Sequence, residues 1–335
     1  MTISLDSIPR FTAAQALTIA HKDYGIEGRV SVLPSERDQN FLIVDARGAK
    51  FVLKIANRDD APELLEFQHQ AMRRVAAAPC DCRVQEIVRS LDGADLSEIR
   101  DPAADVHHCV RVTTWLQGEV LARCGPRSRG LFESIGAGMA KIDAALRGFT
   151  HPAMHRVLQW DLRHAGLARE HAHLLPPARR TRVERIFAEW ETIEWTHLRR
   201  SVIHNDANDY NVLIEDGRMT GLLDFGDLVH SATVCDLAIA LAYAMLHEKD
   251  PLAAAASVIH AYHRHNPLTE LEQRVLYPLI LARISASVCY AAHNRARNPD
   301  DTYQVVTEAG ARELLDVLEP YSPAAALATV RDACA

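Results

Sequence analysis

The stretch Ser201–Asp227 reads S-V-I-H-N-D-A-N-D-Y-N-V-L-I-E-D-G-R-M-T-G-L-L-D-F-G-D. It contains three short apolar runs, at 202–203, 212–214 and 222–223, and each run ends on or flanks a cluster of polar residues. Such runs predict buried strands, and Asp-Gly at 216–217 predicts a hairpin turn between two of them. Because strands hold the backbone rigidly, the polar side chains at their ends are fixed in position.

The polar residues of this stretch predict a phosphoryl-transfer site. They form H-x-D-x-x-x-x-N, from His204 through Asp206 to Asn211, followed by D-F-G beginning at Asp224. In such a site one carboxylate accepts the proton of the attacking hydroxyl, while an amide and a second carboxylate hold Mg²⁺ against the nucleotide phosphates. Each half alone is weak, and a loop of Asx turns without chemistry is the alternative. Both halves in this order predict a kinase.

Composition limits the class of protein. The chain has 335 residues, enough for two lobes, with 48% hydrophobic and 24% charged residues, as in a globular protein. A net charge of −7 with dispersed acids argues against a nucleic-acid partner. No apolar run approaches the roughly 20 residues of a membrane span, and the N-terminus has no secretion-signal core. Seven scattered cysteines predict free thiols in a reducing cytoplasm, and the seventeen histidines show no metal-ligand spacing.

The first third of the chain predicts a small antiparallel sheet with two helices. The predicted helices are Arg10–Tyr24 and Glu63–Ala77. The predicted strands are Arg29–Leu33, Asn40–Val44, Lys50–Ile55, Val84–Leu91 and Val106–Thr114. An acidic turn, Asp92–Asp105, is predicted between the last two strands.

Lys54 is the residue of this block with the strongest functional signal. It alternates with apolar neighbours in V-L-K-I on the third strand, as the phosphate-binding lysine of kinases does. A lone strand lysine more often points to solvent, but the later motif favours the functional interpretation. Such a lysine needs an acidic partner on the next helix, and Glu66 is predicted for this role, with Glu63 as alternative. The turn at 34–39 has no glycine, so a phosphate contact there would use backbone N–H groups with Ser35 or Arg37.

A hinge is predicted where the sheet ends, at Val110–Gly118, with backbone groups available to a purine edge. The candidate base contacts are Thr114, Trp115 and Leu116, with core packing as the alternative for the two large side chains. The division is therefore a nucleotide-binding lobe at 1–114 and a catalytic, substrate-binding helical lobe at 115–335. The helices predicted for the second lobe are Leu131–Leu146, Ala178–Glu194, Val234–Leu246, Pro251–Arg264, Glu270–Ala292 and Tyr303–Leu318. This order predicts an α+β, bilobal protein-kinase-like fold, with a small antiparallel-sheet N-lobe and a larger helical C-lobe.

From about Phe11 to Leu318 the chain resembles the aminoglycoside phosphotransferase and choline kinase-like family. Within that family it is most similar to the hydroxylysine kinases and to the kinase segment fused to some class III aminotransferases. The stretches that carry the similarity are L-P-S-E-R-D-Q-N-F-L-I (33–43), F-V-L-K-I-A-N (51–57), L-E-F-Q-H-Q-A-M (65–72), H-P-A-M-H-R with Q-W-D-L-R (151–163), H-N-D-A-N-D-Y-N-V-L-I (204–214), and L-A-R-I-S-A-S-V followed by N-P-D-D-T-Y (281–303).

The resemblance implies a role for each matching residue. It implies Asp206 as the catalytic base, His204 as the brace of its loop, Asn211 and Asp224 as Mg²⁺ ligands, Lys54 as the α/β-phosphate lysine, and Asp236 as a helix carboxylate that hydrogen-bonds back to the loop. The sequence departs from the family at two points. Asn205 stands where most relatives have Gly, although Asn tolerates left-handed φ better than most residues. One alignment register also places Gln68, rather than Glu66, opposite Lys54.

Together these features predict transfer of the γ-phosphoryl group of ATP or GTP to a hydroxyl of a small amino-bearing molecule, with 5-hydroxylysine as the first candidate. Candidates for a cage around the ammonium, with Arg283 for a substrate carboxylate, are Asp209, Asp227, Asp161, Trp160 and Tyr290. The alternatives are homoserine, choline, ethanolamine or an aminoglycoside as acceptor, or a non-catalytic nucleotide-binding protein of kinase ancestry. A monomer and a homodimer both remain open.

Overall fold

A computed structural model describes residues 8–35, 37–101, 105–297 and 306–335, with the side chains of 306–308 excepted. The chain divides into two compact units. The N-terminal unit comprises Met1–Arg73 and Val84–Gln117, and the C-terminal unit comprises Arg74–Arg83 and Gly118–Ala335. The last change of unit, after Gln117, falls three residues beyond the division predicted at 114. The sequence did not predict that the short segment 74–83 groups with the helical unit.

The N-terminal unit contains an antiparallel sheet. Its strands are β1 (Arg29–Leu33), β2 (Gln39–Val44), β3 (Lys50–Ile55), β4 (Ile87–Val88), β5 (Ser97–Asp101) and β6 (Val106–Thr114). The order is β1-β2-β3-β6, and both β4 and β5 pair with the far edge of β6. The predictions for β1, β3 and β6 are confirmed at their bounds, and β2 begins one residue earlier than predicted.

Between 84 and 105 the prediction was partly wrong. The expected acidic turn contains strand β5, whose Ser97 lies opposite Val110 of β6. Since β5 occupies that part of the β6 edge, only Ile87 and Val88 of the predicted strand Val84–Leu91 join the sheet. Residues 102–104 of the expected turn lie outside the described residues.

The two helices of this unit lie on opposite faces of the sheet. Helix α1 (Ala13–Tyr24) begins at Thr12, which forms a capping box with Gln15. Its apolar side packs on a buried cluster that includes Phe41, Leu53 and Val110. Strand side chains alternate between faces, so the residues beside these three point the other way. That second face meets helix α2 (Pro62–Ala76), as the hydrogen bond between Gln68 and Arg111 shows.

The C-terminal unit is mostly helical. Its helices are α3 (Arg129–Leu146), α4 (Pro177–Glu191), α5 (Val234–Ala244), α6 (Pro251–His265), α7 (Glu270–Arg297), α8 (Val306–Val317) and α9 (Pro323–Cys334). Helices α3 to α8 confirm the six predicted segments, although Tyr303, the predicted start of α8, lies outside the described residues. Helix α9 was not predicted; it begins with Ser322 as N-cap followed by Pro323. A 3₁₀ stretch, Leu162–Leu174, lies between α3 and α4 and was not predicted.

Two small antiparallel sheets complete this unit. Strands β7 (Glu119–Val120), β9 (Val212–Glu215) and β10 (Arg218–Leu222) form one, and β8 (Arg200–Ile203) pairs with β11 (Val229–Ala232). Helix α3 can approach α6 closely because it has a glycine, Gly136, at the point of contact. A Cβ at Gly136 would overlap the carbonyl oxygen of Val258 on α6.

Helix α7 forms the centre of the helical packing. Its length and apolar composition would suffice for a membrane span, but 83% of its most apolar window is buried inside the protein. That burial is typical of a core helix. All seven cysteines of the chain are free thiols.

Candidate active site

The β9–β10 hairpin positions two of the predicted site residues. Its turn residues Asp216 and Gly217 have φ of 50° and 69°, the positive pair that a tight hairpin requires. Asn211 directly precedes β9, and Asp224 lies two residues after β10 ends. The Leu223 N–H donates to the Asn211 carbonyl at 2.8 Å, which holds the two strand ends side by side.

Asp206 lies at the centre of a hydrogen-bond cluster in the loop before β9. Its Oδ2 accepts hydrogen bonds from the amides of Asn211 at 2.8 Å and Asn208 at 2.9 Å. Its Oδ1 accepts from Nη2 of Arg283, on α7, at 3.2 Å. The carboxylate keeps 22% exposure, so a ligand can reach it. Such an arrangement holds a base in one orientation without blocking it.

Neighbouring groups shift the pKa of Asp206 in opposite directions. Burial raises the pKa of its carboxyl to about 8, the nearby Arg283 lowers it, and the carboxylates of Asp227 and Asp224 raise it further. A base with a pKa near neutrality can accept a proton from a hydroxyl group and release it afterwards. Arg283 therefore helps to keep Asp206 ionised.

His204 braces the loop, as the resemblance implied. Its Nδ1 accepts the N–H of Asp206 at 3.3 Å, and its Nε2 donates to the carbonyl of Leu223 at 2.9 Å. This assignment requires the neutral imidazole, and burial lowers the pKa of His204 accordingly. The ring also stacks edge-on against Phe225, with centroids 4.8 Å apart. His204 thus ties the H-x-D loop to the segment that carries Asp224.

Asp236 on α5 anchors the same loop from behind. Its Oδ2 accepts the backbone N–H of His204 at 3.0 Å, and its Oδ1 accepts that of Asn205 at 2.8 Å. The Asp236 side chain is fully buried. Two buried backbone donors are therefore satisfied by one carboxylate, in the supporting role that the resemblance implied.

Asn205 adopts the left-handed conformation that its position requires. Its φ is 67°, and its side chain is fully buried. Neither Oδ1 nor Nδ2 of its amide has a hydrogen-bond partner among the described residues. The loop therefore accommodates Asn in place of Gly, but at the cost of two unsatisfied polar atoms.

We expect Asn205→Gly to raise the free energy of unfolding by about 1 kcal/mol. Removing the unsatisfied amide gains roughly 1–3 kcal/mol, and the greater freedom of glycine in the unfolded chain offsets about 0.4–1 kcal/mol. Urea unfolding of both proteins measures the difference. Asn205→Ala is the matched control, since it also removes the amide but strains the left-handed backbone by about 1–2 kcal/mol. A glycine variant less stable than the parent would show that the amide has a partner.

Behind Asp236 lies a second buried carboxyl group, Asp143 of α3. Burial raises the pKa of Asp143 well above its usual range, and the adjacent Asp236 raises it further. Its Oδ2 accepts a short hydrogen bond of 2.5 Å from the hydroxyl of Tyr262, while its Oδ1 has no donor. Two buried carboxyl groups this close do not both ionise. The protonated form of Asp143 is therefore favoured.

Asp143→Asn is expected to stabilise the protein more as the pH rises. Because the folded-state pKa of Asp143 is raised, its contribution to stability is complete below the unfolded-state pKa and is lost as the pH rises towards the folded value. Asn stays neutral and can donate to Asp236, so the variant avoids this loss, by about 1 kcal/mol or more at pH 8. Urea unfolding of both proteins at pH 5 and pH 8 tests this. A difference in stability that does not change with pH would contradict it.

The predicted substrate residues fall into two groups. Trp160, Tyr290 and Arg283 lie together: the Trp160 and Tyr290 rings are 4.8 Å apart, and the Arg283 guanidinium lies 4.6 Å above the Trp160 ring. Tyr243, which the sequence analysis missed, contributes a hydroxyl 3.3 Å from Nη2 of Arg283. Arg283 is buried and has an unpartnered Nε. These aromatic and cationic groups lie next to Asp206.

The other candidates have different positions. The prediction that Asp161 binds the substrate was wrong. Its side chain is fully buried, and both its oxygens accept hydrogen bonds from Arg163 and Ser231. It caps the 3₁₀ stretch instead. Asp209 is buried, and its Oδ1 has no partner; burial raises its pKa and Arg127 opposes this. Asp227, in the turn after D-F-G, is half-buried, and its charge raises the pKa of Asp206.

In the N-terminal unit, Lys54 is on β3 as predicted, but the prediction that Glu66 faces it was wrong. The Glu66 side chain is exposed and accepts a hydrogen bond from Gln70 at 3.1 Å. Glu63, the alternative, is exposed as well. Gln68 takes the inward position on α2 and binds Arg111 at 2.6 Å. Gln68 rather than Glu66 thus faces the sheet, although its partner there is Arg111 and not Lys54.

Some of the residues predicted to contact the phosphates and the base are bound to other groups of the protein. Arg37 forms an ion pair with Asp60 at 2.7 Å, while Ser35 is exposed. The N–H of Trp115 donates to the Lys50 carbonyl at 3.1 Å, and that of Thr114 donates to Glu86. Those two amides are therefore not available to a purine, which corrects this part of the prediction. Leu116 keeps a backbone without a hydrogen-bond partner among the described residues.

The residues predicted to bind Mg²⁺ fit a hard cation. Both amide hydrogens of Asn211 go to Asp206, at Oδ2 and at the carbonyl oxygen, so the amide oxygen of Asn211 can serve as a ligand. Asp224 is exposed, in a left-handed turn with φ of 56°. The described residues contain no group of three or more His, Cys, Asp or Glu suited to a metal. One amide and one carboxylate would leave most positions to phosphate and water, as Mg²⁺ prefers.

About 51% of the chain is helix and 17% strand. The antiparallel sheet of the N-terminal unit, together with the helical unit that holds the Asp206 carboxylate, defines a phosphotransferase of the protein-kinase-like fold. The chain belongs to the phosphotransferase enzyme family (APH), which it matches over residues 29–274. It is 28% identical over 327 residues to hydroxylysine kinase of Mus musculus and 30% over 329 to that of Xenopus laevis, covering 89% of this chain and 87% of each relative. A homoserine kinase of Nitrobacter winogradskyi is 26% identical over 283 residues, 80% of each chain.

Solved structures show the same fold. An amicoumacin kinase in complex with AMP-PNP and Ca²⁺ has a TM-score of 0.71 at 15% identity, covering 94% of this chain and 97% of that one. A microcompartment-associated aminopropanol kinase has a TM-score of 0.69 at 16% identity, with coverage of 96% and 97%. The protein is thus a small-molecule kinase that uses a nucleotide co-substrate and a hydroxyl acceptor.

Proposed function

We propose that the protein phosphorylates the hydroxyl group of a small hydroxylated amino acid, with 5-hydroxylysine as the first candidate. The observation that carries the proposal is the position of the Asp206 carboxylate, held by two amides and placed beside the buried guanidinium of Arg283. The hydroxylysine kinases that the chain resembles along most of its length support this choice of acceptor.

In this proposal Asp206 orients the acceptor hydroxyl and takes its proton as the γ-phosphoryl group is transferred. Lys54 binds the α- and β-phosphates. Asn211 and Asp224 hold Mg²⁺, which neutralises charge on the phosphate oxygens when it is bound. Positioning and charge neutralisation account for most of the rate in such sites.

Arg283 and its aromatic neighbours support an acceptor with a carboxylate and an ammonium group. Arg283 can pair with a carboxylate through its Nε, which has no partner among the described residues, and the ring of Tyr290 beside Trp160 can contribute to binding an ammonium. Choline and ethanolamine lack a carboxylate, so they would offer no acceptor to the Nε of Arg283. Homoserine carries both groups on a shorter chain, which makes it the second candidate.

A panel of acceptors tests the proposal. The purified protein is supplied with Mg²⁺ and either ATP or GTP carrying a γ-phosphate label, and with 5-hydroxylysine, homoserine, 1-amino-2-propanol, choline, ethanolamine or kanamycin. We expect the highest kcat/KM with 5-hydroxylysine. A higher value for another acceptor would reject this substrate, and turnover of none, together with tight nucleotide binding, would favour a non-catalytic protein.

We further infer a cytoplasmic location. The free thiols of all seven cysteines support it, since disulfides form and persist in oxidising compartments. ATP and GTP, the proposed donors, fit the same location. Either a monomer or a homodimer is compatible with this function.

A further inference from the structure

A row of polar residues crosses the sheet of the N-terminal unit. Asn40 on β2 lies opposite Lys54 on β3, and Lys54 lies opposite Arg111 on β6. Directly opposed residues of antiparallel strands point to the same face. The neighbouring residues Leu53 and Val110 belong to the cluster under α1, so the row faces α2. Two cations therefore stand side by side on the α2 face.

Arg111 is a buried cation with little neutralising charge. Its side chain is 6% exposed, and its Nε has no hydrogen-bond partner in the part of the chain that the structure describes. Its Nη1 donates to the neutral amide of Gln68 at 2.6 Å, and the carboxylate paired with it, Asp38, is 3.9 Å from Nη2. A buried charge needs compensation, and the neutral Gln68 does not provide it.

Lys54 likewise has no ion pair among the described residues. In protein kinases the corresponding lysine pairs with a glutamate of the following helix. Here both glutamates of α2, Glu63 and Glu66, are exposed, and Glu66 accepts a hydrogen bond from Gln70. Gln68 occupies the inward position on α2 but binds Arg111 rather than Lys54. The positive charge of Lys54 therefore stays unneutralised.

His69, next to Gln68, is a buried histidine close enough to Arg111 and Lys54 for their charges to lower its pKa. It is 1% exposed, and its Nε2 has no partner. Burial, followed by the charge of Arg111, lowers its pKa to about 3, and Lys54 adds to this effect. The imidazole is therefore neutral chiefly because it is buried, and the nearby cations add to this effect.

We infer that Arg111 supplies a second positive charge, beside Lys54, for the phosphates of the nucleotide, and that the neutral Gln68 stands where a neutralising acid would otherwise be. The inference rests on the proposed function only in taking a nucleotide as the ligand. Lys54 is half-buried and contacts the phosphates, whereas Arg111 acts through the low-dielectric interior over a few ångströms. Affinity should therefore depend steeply on the number of phosphate groups.

Gln68→Glu tests this inference, because it restores the acid that kinases usually carry. Calorimetric titrations with ATP, ADP and AMP at fixed Mg²⁺ measure nucleotide affinity without any acceptor. We expect the variant to bind ATP and ADP at least tenfold more weakly and AMP within about twofold of the parent. Gln68→Met is the matched control: it removes the hydrogen bond without adding charge, and we expect a change of less than threefold for ADP.

Arg111→Met should reduce the preference for ADP over AMP at least fivefold, and Arg111→Lys, which keeps the charge, should retain most of it. A merely structural role would weaken all three nucleotides alike. ATP and ADP binding by Gln68→Glu equal to or tighter than that of the parent would overturn the inference. If the parent protein itself binds no nucleotide, the proposed function fails instead, so the two failures are distinguishable.

Discussion

Asp206→Asn is expected to lower kcat by about 10²- to 10⁴-fold, the usual contribution of a positioned general base. The neutral amide cannot take the acceptor's proton, although its oxygen can still accept from Arg283. Steady-state kinetics with the best acceptor of the panel measure the loss. Nucleotide affinity, measured by calorimetry, should stay within about threefold of the parent, because the substitution removes no group that is proposed to bind phosphate.

Asp209→Asn is the matched control for Asp206, since it makes the same change three residues further along the same loop. The Asp209 carboxyl is buried and lies near Arg127 and His247, not in the hydrogen-bond cluster of Asp206. We expect its kcat to stay within about tenfold of the parent. Equal losses in both variants would show that general damage to the loop, rather than loss of a base, explains the effect.

The second large effect is expected for Asp236→Ala. This change leaves the buried N–H groups of His204 and Asn205 without acceptors, at roughly 1–3 kcal/mol each. We therefore expect the free energy of unfolding to fall by about 2 to 6 kcal/mol. The kcat should fall as well, because the loop that carries Asp206 loses its anchor. Urea unfolding and initial rates, measured below the unfolding transition, separate the two effects.

Two further variants sharpen this test. Asp250→Ala removes an exposed carboxylate that caps α6, and the loss of such a cap costs about 1 kcal/mol with no expected change in kcat. Asp236→Asn keeps one acceptor oxygen, so its stability should lie between those of Asp236→Ala and the parent. An Asp236→Ala protein with the stability and kcat of the parent would contradict the anchoring role.

The catalytic loop and its hairpin could be predicted because their signals are local. Turn residues, apolar runs and the spacing of His204, Asp206 and Asn211 all lie within one stretch, and the hairpin at 216–217 is confirmed. By contrast, Arg283 pairs with Asp206 from 77 residues away. From the sequence, Arg283 was a candidate only for pairing with a substrate carboxylate, since no local pattern reveals which distant side chain lies beside a base.

Helix α2 shows why Glu66 was assigned wrongly. Glu66 was expected to face Lys54 on the sheet, but the buried face of α2 includes Gln68 and His69. These polar residues rotate the buried face, so Glu66 points to solvent. Strand β5 was missed for a related reason: S-E-I-R-D alternates charges around the single apolar Ile99, as an exposed edge strand can.

The supports of Asp206 also determine when the site can assemble during synthesis. The carboxylate that holds its loop lies on α5, and the guanidinium that pairs with it lies on α7. A ribosome adds about 5–20 residues per second, so the loop emerges several seconds before Arg283 does. We expect a nascent chain that ends before α7 to have an unpaired base and a loosely held loop. Catalytic competence would then arise late in folding, only after the long central helix has docked.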